Sequence, residues 1–230
     1  MAELAIAYPP PAGLWRVGRG DAPLLPSRPT AGEFTATGGN RFDAVNGDFG
    51  VLYFASTLDG CFGETLARFR PAPDLRALLK EEWRENAGFM EVGAVAADWR
   101  HRRTAVRVAV ADVPPLPFLN LDSVETLQVL RERLAGNLAV LGVSDLDVAA
   151  VRGGDRRVTR LIAAWAHQAT DVATGEPCFS GIRYASRLSS EWVCWAVFDR
   201  VRLEPLEYLT ITPEMESLQR VAKTFDLRVH

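Results

Sequence analysis

The stretch Val51-Leu52-Tyr53-Phe54-Ala55-Ser56 decides the fold, because a short apolar run of this kind is typical of a buried strand. A glycine-rich loop, Gly39-Asn40-Arg41-Phe42, precedes it, and glycine lets a backbone take positive φ and come close to a ligand. A helix predicted over 58–69 follows and carries Glu64. A guanidinium, a phenol and a carboxylate therefore come from one loop–strand–helix unit, and this combination suits a charged nucleotide.

The predicted helix has an apolar stripe at helical spacing, while Gly60 and Gly63 lie on another side together with Glu64. Each glycine in a helix costs about 1 kcal/mol relative to alanine, so the two glycines need a compensating contact. Two explanations are open: the close approach of a ligand, or tight packing of a neighbouring strand or helix. The position of the helix beside the tyrosine and the loop arginine favours the ligand.

The remaining predicted elements do not follow the strand–helix–strand order of a doubly wound sheet. A first strand is predicted over 14–18, with Arg16 in its middle, and a loop-like region, 19–48, follows it. Further strands are predicted over 89–97, 104–112, 181–185 and 191–198. Further helices are predicted over 74–86 and 155–169. Two more helices are predicted from their start signals, a capping box at Asp122-x-x-Glu125 and the sequence Thr212-Pro213-Glu214. This mixture predicts an α+β fold, with a mixed or antiparallel sheet core surrounded by helices.

Composition excludes several classes of protein. With 230 residues, 48% of them hydrophobic, the chain is long enough for one sizeable core. The net charge of −3 argues against broad binding to nucleic acid through phosphates. No apolar run approaches the length of a membrane span, and the start of the chain lacks the features of a secretion signal. Residues 1–12 are predicted to be an N-terminal extension and residues 13–230 a single domain.

Few residues are suited to metal or redox chemistry. The three cysteines are widely spaced and odd in number, which favours a reducing cytoplasm. The three histidines lack zinc spacing, so no metal site is expected. Neither the G-x-G-x-x-G fingerprint after a strand nor a Walker-type G-x-x-x-x-G-K-[ST] sequence is present, so a dinucleotide would not be bound by a Rossmann domain.

Three groups of residues, in this order and separation, resemble the RES domain family, which is named after its arginine, glutamate and serine. They are Leu14-Trp15-Arg16, the segment from Gly39 to Glu64, and Gly181-Ile182-Arg183-Tyr184-Ala185-Ser186. The likeness spans roughly residues 13 to 208 and includes the helix opening Gly154-Asp155-Arg156. The resemblance implies a fold related to that of the ADP-ribosyltransferases.

The resemblance also implies an activity. It is that of a toxin-type enzyme that cleaves the nicotinamide–ribose bond of NAD+ by phosphorolysis or hydrolysis, which depletes NAD+ and arrests growth. NAD+ would be consumed as a substrate, and no other cofactor is implied. The implied partner is an Xre-like helix-turn-helix antitoxin, and the implied assembly is a homo-oligomer or a toxin–antitoxin complex. The charge and the hydropathy of the chain predict no direct binding to nucleic acid or membrane.

Two alternatives stay open from the sequence. A mono-ADP-ribosyltransferase that modifies a host protein would use the same donor site and differ only in the acceptor. A catalytically silent nucleotide-binding or partner module belongs to another class of function, and the presence of Glu64 argues against it, because pure binding has little need of an acid beside the ribose.

Carried over residue by residue, the resemblance places five residues at the site: Arg16, Arg41, Tyr53, Glu64 and Ser186. Glu64 is expected to stabilise the positive charge that grows on the ribose, as carboxylates do in glycoside cleavage. The forks of Arg16 and Arg41 match pyrophosphate oxygens bidentately. The ring of Tyr53 can lie against the nicotinamide, and Ser186 would orient a ribose hydroxyl or a phosphate. The expected catalytic residues are Glu64, Arg16 and Ser186.

Each of these residues also has a structural explanation. Arg16 could form an ion pair with Glu64, and Arg41 could be an ordinary surface charge. Tyr53 fits a core position by its pattern, Glu64 alone fits a solvated helix position, and Ser186 alone fits a turn. The family pattern is what favours the functional explanation.

Overall fold

The computed structural model describes residues 3–26, 39–72 and 92–230. An eight-stranded sheet forms the centre of these ranges. Its strands, in spatial order, are β1 (Ile6–Ala7), β6 (Phe118–Asn120), β7 (Gly181–Ala185), β8 (Val193–Phe198), β3 (Val51–Ala55), β2 (Leu14–Arg19), β5 (Arg103–Val110) and β9 (Leu203–Thr210). All neighbouring strands are antiparallel except β6 and β7, which are parallel. A small parallel pair joins β4 (Ala94–Val95) to β10 (Arg228–Val229).

Helices pack against the sheet in two groups. In the described ranges they are α1 (Leu58–Leu66), α2 (Ala97–His101), α3 (Val124–Arg133), α4 (Ala135–Val140), α5 (Val148–Arg152), α6 (Arg156–Gln168) and α7 (Glu216–Phe225), and a 3-10 turn at Ala67–Phe69 extends α1. The combination of a mixed sheet with surrounding helices confirms the predicted α+β class. None of the helices in these ranges has the length and apolarity needed to cross a membrane.

The core fixes α1 from two sides. Cys61 packs in the larger hydrophobic cluster, between the sheet and α3 to α6, whereas Phe62 and Leu66 pack in a second cluster with α7. The strand next to it in the chain, β3, is central, and its residues alternate between clusters on the two faces of the sheet. The helix therefore holds a fixed position, and Glu64, on its remaining side, stays exposed.

Most of the predicted elements that define the site are confirmed. The strands at 14–18, 51–55 and 181–185, and the helices at 58–69 and 155–169, agree with β2, β3, β7, α1 and α6 to within a few residues. The strand at 191–198 is shorter, Val193–Phe198, and it lies inside the sheet between β7 and β3. The helix predicted over 74–86 lies outside the described residues.

Two predicted helix starts are wrong by a few residues. Ser123, not Asp122, caps α3, since its hydroxyl accepts the Thr126 amide at 3.3 Å, while Asp122 pairs with Arg152 instead. The last helix begins at Glu216, because residues 212–215 form a turn closed by the Met215 amide on the Thr212 carbonyl at 3.3 Å.

The strand predicted over 89–97 is also wrong in its described part. Only Ala94–Val95 is a strand, and α2 follows it. Arg100 is buried in that helix, where its guanidinium donates to the carbonyls of His230 at 2.6 Å and Ile211 at 3.2 Å. β9 was not predicted, because its proline and two glutamates are unusual in a strand. The proline is tolerated because β9 lies at the edge of the sheet.

Candidate functional site

A cavity of about 880 Å³ opens beside β2, β3 and α1, and this volume lies in the range of small-molecule sites. Its lining has a one-sided charge pattern. Of the described residues that line it, seven are arginines and one is acidic: Arg16, Arg19, Arg41, Arg68, Arg103, Arg156, Arg187 and Glu64. Such a lining attracts a ligand that carries several negative charges. The cavity presents one carboxylate, that of Glu64, to this ligand.

Glu64 lies exposed on α1, where its carboxylate accepts a hydrogen bond from the hydroxyl of Ser186. Within the described part of the chain it forms no ion pair, so the pairing of Arg16 with Glu64 that the sequence left open is not made. The acid is therefore free of a cationic side-chain partner and faces the cavity.

Ser186 follows β7 directly and is only 1% exposed. Its amide donates to the Trp192 carbonyl at 2.8 Å, which closes the turn between β7 and β8. Its hydroxyl accepts the Leu188 amide at 3.0 Å and donates its proton to Glu64. The proton of this hydroxyl is committed to the carboxylate, so Ser186 sets the orientation of Glu64.

Arg16 joins two parts of the cavity wall. Its Nε donates to the Pro23 carbonyl at 2.7 Å and its Nη1 to the Tyr53 carbonyl at 3.0 Å. Burial lowers the pKa of its guanidinium, against an opposite influence of Cys61 and Tyr53. Nη2 makes no hydrogen bond to the described residues, so this nitrogen is the one available to a ligand.

Tyr53 lines the cavity and is held by its hydroxyl. This group donates to Asp43 Oδ1 at 2.8 Å and accepts the Phe42 amide at 3.0 Å. Burial, and then the neighbouring Asp43 carboxylate, raise the pKa of the phenol well above its ordinary value. The ring is therefore a neutral, fixed surface in the cavity wall.

Arg41 lies at the cavity, but its guanidinium also has a structural task. Its terminal nitrogens donate to the carbonyls of Val151, Arg152 and Gly153, with the last two at 3.4 Å. Its Nε is buried and has no hydrogen-bond partner among the described residues. Burial lowers the pKa of Arg41, while Tyr184 and Glu64 oppose this. The contacts join the glycine-rich loop to the end of α5 and leave Arg41 less free for pyrophosphate than the sequence suggested.

Two residues that position this loop were missed by the sequence analysis. Asp43 is fully buried and accepts the Asn40 amide at 2.8 Å, and Arg160 is 1% exposed and donates to the Asn40 carbonyl at 3.2 Å. A Cβ at Gly39, where φ is +64°, would lie 2.7 Å from Arg160 Nη2. The loop glycine thus makes room for an arginine of the protein. The sequence signal that could have identified Arg160 is the position of this charged residue on the apolar side of α6.

The structure also explains the two glycines of α1. A Cβ at Gly63 would lie 2.1 Å from a ring carbon of Trp192, and a Cβ at Gly60 would lie 3.0 Å from the Cβ of Ala55. The glycines make room for protein side chains, so the expectation that a ligand accounts for these two glycines is wrong. The Trp192 packing sets the distance between α1 and the turn that carries Ser186.

The other chemically versatile side chains have ordinary structural roles. Cys61 donates its Sγ proton to the Trp15 carbonyl at 2.8 Å, and burial raises its pKa to about 12, so the thiol is neutral. Among the residues described, no group of three histidine, cysteine, aspartate or glutamate side chains could hold a metal ion.

Comparison with known proteins identifies the family. A family model, the RES domain, matches residues 13–214. The fold is similar to the crystal structure of the M. tuberculosis MbcT-MbcA toxin–antitoxin complex, with a TM-score of 0.50 and 15% sequence identity over 92% of this chain and 88% of that chain. A search of curated proteins gave no significant match. Since the family model spans most of the sequence and the fold agrees with it, the chain belongs to the RES domain family.

Proposed function

We propose that this chain is a toxin-type enzyme that cleaves the nicotinamide–ribose bond of NAD+ by phosphorolysis or hydrolysis. One observation carries the proposal: the exposed carboxylate of Glu64 is the single described acid in a cavity lined by seven arginines. NAD+ combines a negatively charged pyrophosphate with a ribose that becomes positive during cleavage. A cationic cavity with one carboxylate supports both needs.

The bond that breaks joins C1′ of the ribose to the nicotinamide nitrogen. The bonding electron pair leaves with nicotinamide, which becomes neutral, and positive charge spreads over C1′ and the ring oxygen. The Glu64 carboxylate stabilises this charge, whereas the arginines oppose it. A water oxygen or a phosphate oxygen then bonds to C1′, and the attacking water releases a proton. Ser186 contributes by holding the carboxylate in one orientation.

Binding is assigned to the arginines and to aromatic rings. Nη2 of Arg16 is available for a phosphate oxygen, and Arg156 and Arg187 lie on the same cavity wall as Arg41. The rings of Tyr53 and Tyr184 both line the cavity, and either ring can lie against a flat base. The cation–π attraction to nicotinamide would be lost when the bond breaks, which favours product release.

We also propose a protein partner. The solved neighbour is a toxin–antitoxin complex, and the family resemblance implies an Xre-like helix-turn-helix antitoxin for this chain. An enzyme that depletes NAD+ acts where NAD+ is held, so a cytoplasmic location follows from the proposed activity. Expression of the chain alone should arrest growth as cellular NAD+ falls, and co-expression of the antitoxin should prevent both effects.

The direct test uses purified protein and NAD+, with and without inorganic phosphate. Nicotinamide with phosphorylated ADP-ribose supports phosphorolysis, and nicotinamide with plain ADP-ribose supports hydrolysis. Glu64→Gln should be inactive, and the matched control Glu125→Gln, at an exposed helix position outside the cavity, should be fully active. Label transferred from NAD+ to a protein would support an ADP-ribosyltransferase instead, and the absence of any turnover would overturn the proposal.

A further inference from the structure

Three of the cavity arginines form a separate group, which we call the outer arginine cluster: Arg19, Arg68 and Arg103. Arg19 ends β2 and Arg103 begins β5, and the two are direct partners in the antiparallel register. Side chains at directly opposed positions have Cβ atoms about 4.5–5.5 Å apart, and like charges there are destabilising. The fold thus places two cations together at a cost.

Arg68 joins this pair from α1. It stands four residues after Glu64, in the 3-10 turn that extends the helix, so about one helical turn separates the cluster from the carboxylate. Its guanidinium carbon lies 4.8 Å from the centre of the Phe69 ring. It forms no ion pair with the acid one turn before it, so its charge is available to the cavity.

Arg103 is held in a fixed position. Its Nη1 donates to the Trp99 carbonyl at 3.1 Å, and its guanidinium carbon lies 4.7 Å from the centre of the Trp99 ring. Burial lowers the pKa of Arg103, and the positive charges of Arg68 and Arg19 lower it further. The three arginines are therefore close enough to repel one another.

The cluster lacks a negative partner within the described residues. Several arginines outside the cavity, in contrast, have carboxylates close by: Arg102 with Asp98 at 2.9 Å, Arg131 with Asp145 at 3.1 Å, Arg152 with Asp122 at 2.9 Å and Arg220 with Asp59 at 2.8 Å. For Arg19, Arg68 and Arg103 no acid of the described chain neutralises the repulsion. A bound anion would neutralise this repulsion.

We propose that the outer arginine cluster binds a phosphoryl group that carries about two negative charges, separate from the pyrophosphate of NAD+. The inference rests on the proposed function, because it takes Arg16 and the arginines near it as the pyrophosphate site. Two sources have this chemistry: free inorganic phosphate, which would sit about one helical turn from the acid, and a phosphate ester on the adenosine ribose, as in NADP+.

The first experiment measures the binding of inorganic phosphate by calorimetry at low ionic strength. The variant is the double substitution Arg19→Gln with Arg68→Gln, since both side chains are exposed, and the control is Arg102→Gln with Arg131→Gln, which removes the same charge elsewhere. Phosphate should bind at least about tenfold more weakly to the variant and with unchanged affinity to the control. Without phosphate, the variant should unfold at the same or a higher temperature than the wild type, because a repulsion is removed.

The second experiment distinguishes the two sources, using Glu64→Gln protein so that the dinucleotide is not consumed. The cluster is assigned to the ester if the protein prefers NADP+ over NAD+ and the double variant loses this preference. In that case phosphate should compete with NADP+ but not with NAD+. Equal binding of both dinucleotides, with phosphate binding together with NAD+, assigns it to free phosphate. Equal phosphate affinity in wild type, variant and control, or no saturable binding of phosphate or NADP+, would overturn the proposal. Phosphate binding without any NAD+ cleavage would instead overturn only the proposed function.

Discussion

The hydroxyl of Ser186 donates a hydrogen bond to the carboxylate of Glu64, although the two residues lie 122 positions apart in the chain. Glu64 stands on α1, which follows β3, and Ser186 follows β7, while β8 lies between β3 and β7 in the sheet. The bond therefore depends on how α1 packs on the sheet. This packing gives the acid one orientation toward the cavity.

Ser186→Ala should reduce kcat for NAD+ cleavage by about tenfold with little change in KM, because the acid keeps its charge and loses its orientation. The substitution should also destabilise the fold by about 1–3 kcal/mol, since the Leu188 amide loses its acceptor. Steady-state kinetics and chemical denaturation check the two effects. Ser190→Ala, at an exposed position in the same turn, is the control. A wild-type kcat in Ser186→Ala would remove this bond from the mechanism.

Glu64→Gln should abolish NAD+ cleavage, by a factor of at least about a hundred, while the fold survives. The reason is that Glu64 is exposed and lies outside the two clusters in which α1 packs. Nicotinamide release and circular dichroism measure the two properties. An unfolded variant would support a structural role for the acid, and a fully active one would place the chemistry elsewhere.

Gly63→Ala should destabilise the protein by about 1–3 kcal/mol, because the new methyl group would lie 2.1 Å from the Trp192 ring. Gly136→Ala offers a matched control in α4, where an added Cβ meets no atom of the described residues within 4 Å, and it should stabilise by up to about 1 kcal/mol. Thermal unfolding compares the two. Combining Gly63→Ala with Trp192→Ala should give less than the sum of the single effects, and strict additivity would contradict the contact.

The local parts of the site could be predicted from the sequence, and the long-range parts could not. The apolar run at 51–55 and the amphipathic pattern of α1 depend on neighbours in the chain, so β3 and the position of Glu64 follow from them. The reason for Gly63 could not be read locally, because Trp192 comes from another strand region. A glycine beside a carboxylate has the same local pattern whether a ligand or a tryptophan fills the space.

The contacts of Arg41 were hidden for the same reason. Its guanidinium donates to the carbonyls at the end of α5. This helix was not predicted from the sequence, so these contacts could not be predicted either. Asp43 and Arg160 are buried and hold the same loop. A charged residue among apolar ones indicates a structural or functional role, but the sequence does not predict which residue it contacts.

Arg16→Lys should weaken NAD+ binding by about tenfold or more. A lysine ammonium cannot keep the geometry by which the guanidinium holds the Pro23 and Tyr53 carbonyls and still offers Nη2. Calorimetry in the Glu64→Gln background measures affinity without turnover. Arg107→Lys, on the neighbouring strand β5 and outside the cavity, should bind as the wild type does. Unchanged affinity in Arg16→Lys would exclude Arg16 from the binding site.

Stability should fall as pH rises above about 9. Burial raises the pKa of Cys61 from 9.0 to about 12, and it also raises those of Tyr53 and Tyr184 above 10.0. Below pH 9 the groups are neutral in both states and the full stability is present. Above it the unfolded chain releases protons that the folded chain retains, so each group lowers the free energy of unfolding by up to about 1.4 kcal/mol per pH unit.

The measurement is the thermal midpoint between about pH 8 and about pH 11, where each protonation difference develops. Cys61→Ala should make the decline shallower, because one group with a raised pKa is removed. Cys178→Ala, at a partly exposed thiol, is the matched control. A midpoint that stays constant over this range, or a slope that Cys61→Ala does not alter, would show that these buried groups do not resist ionisation.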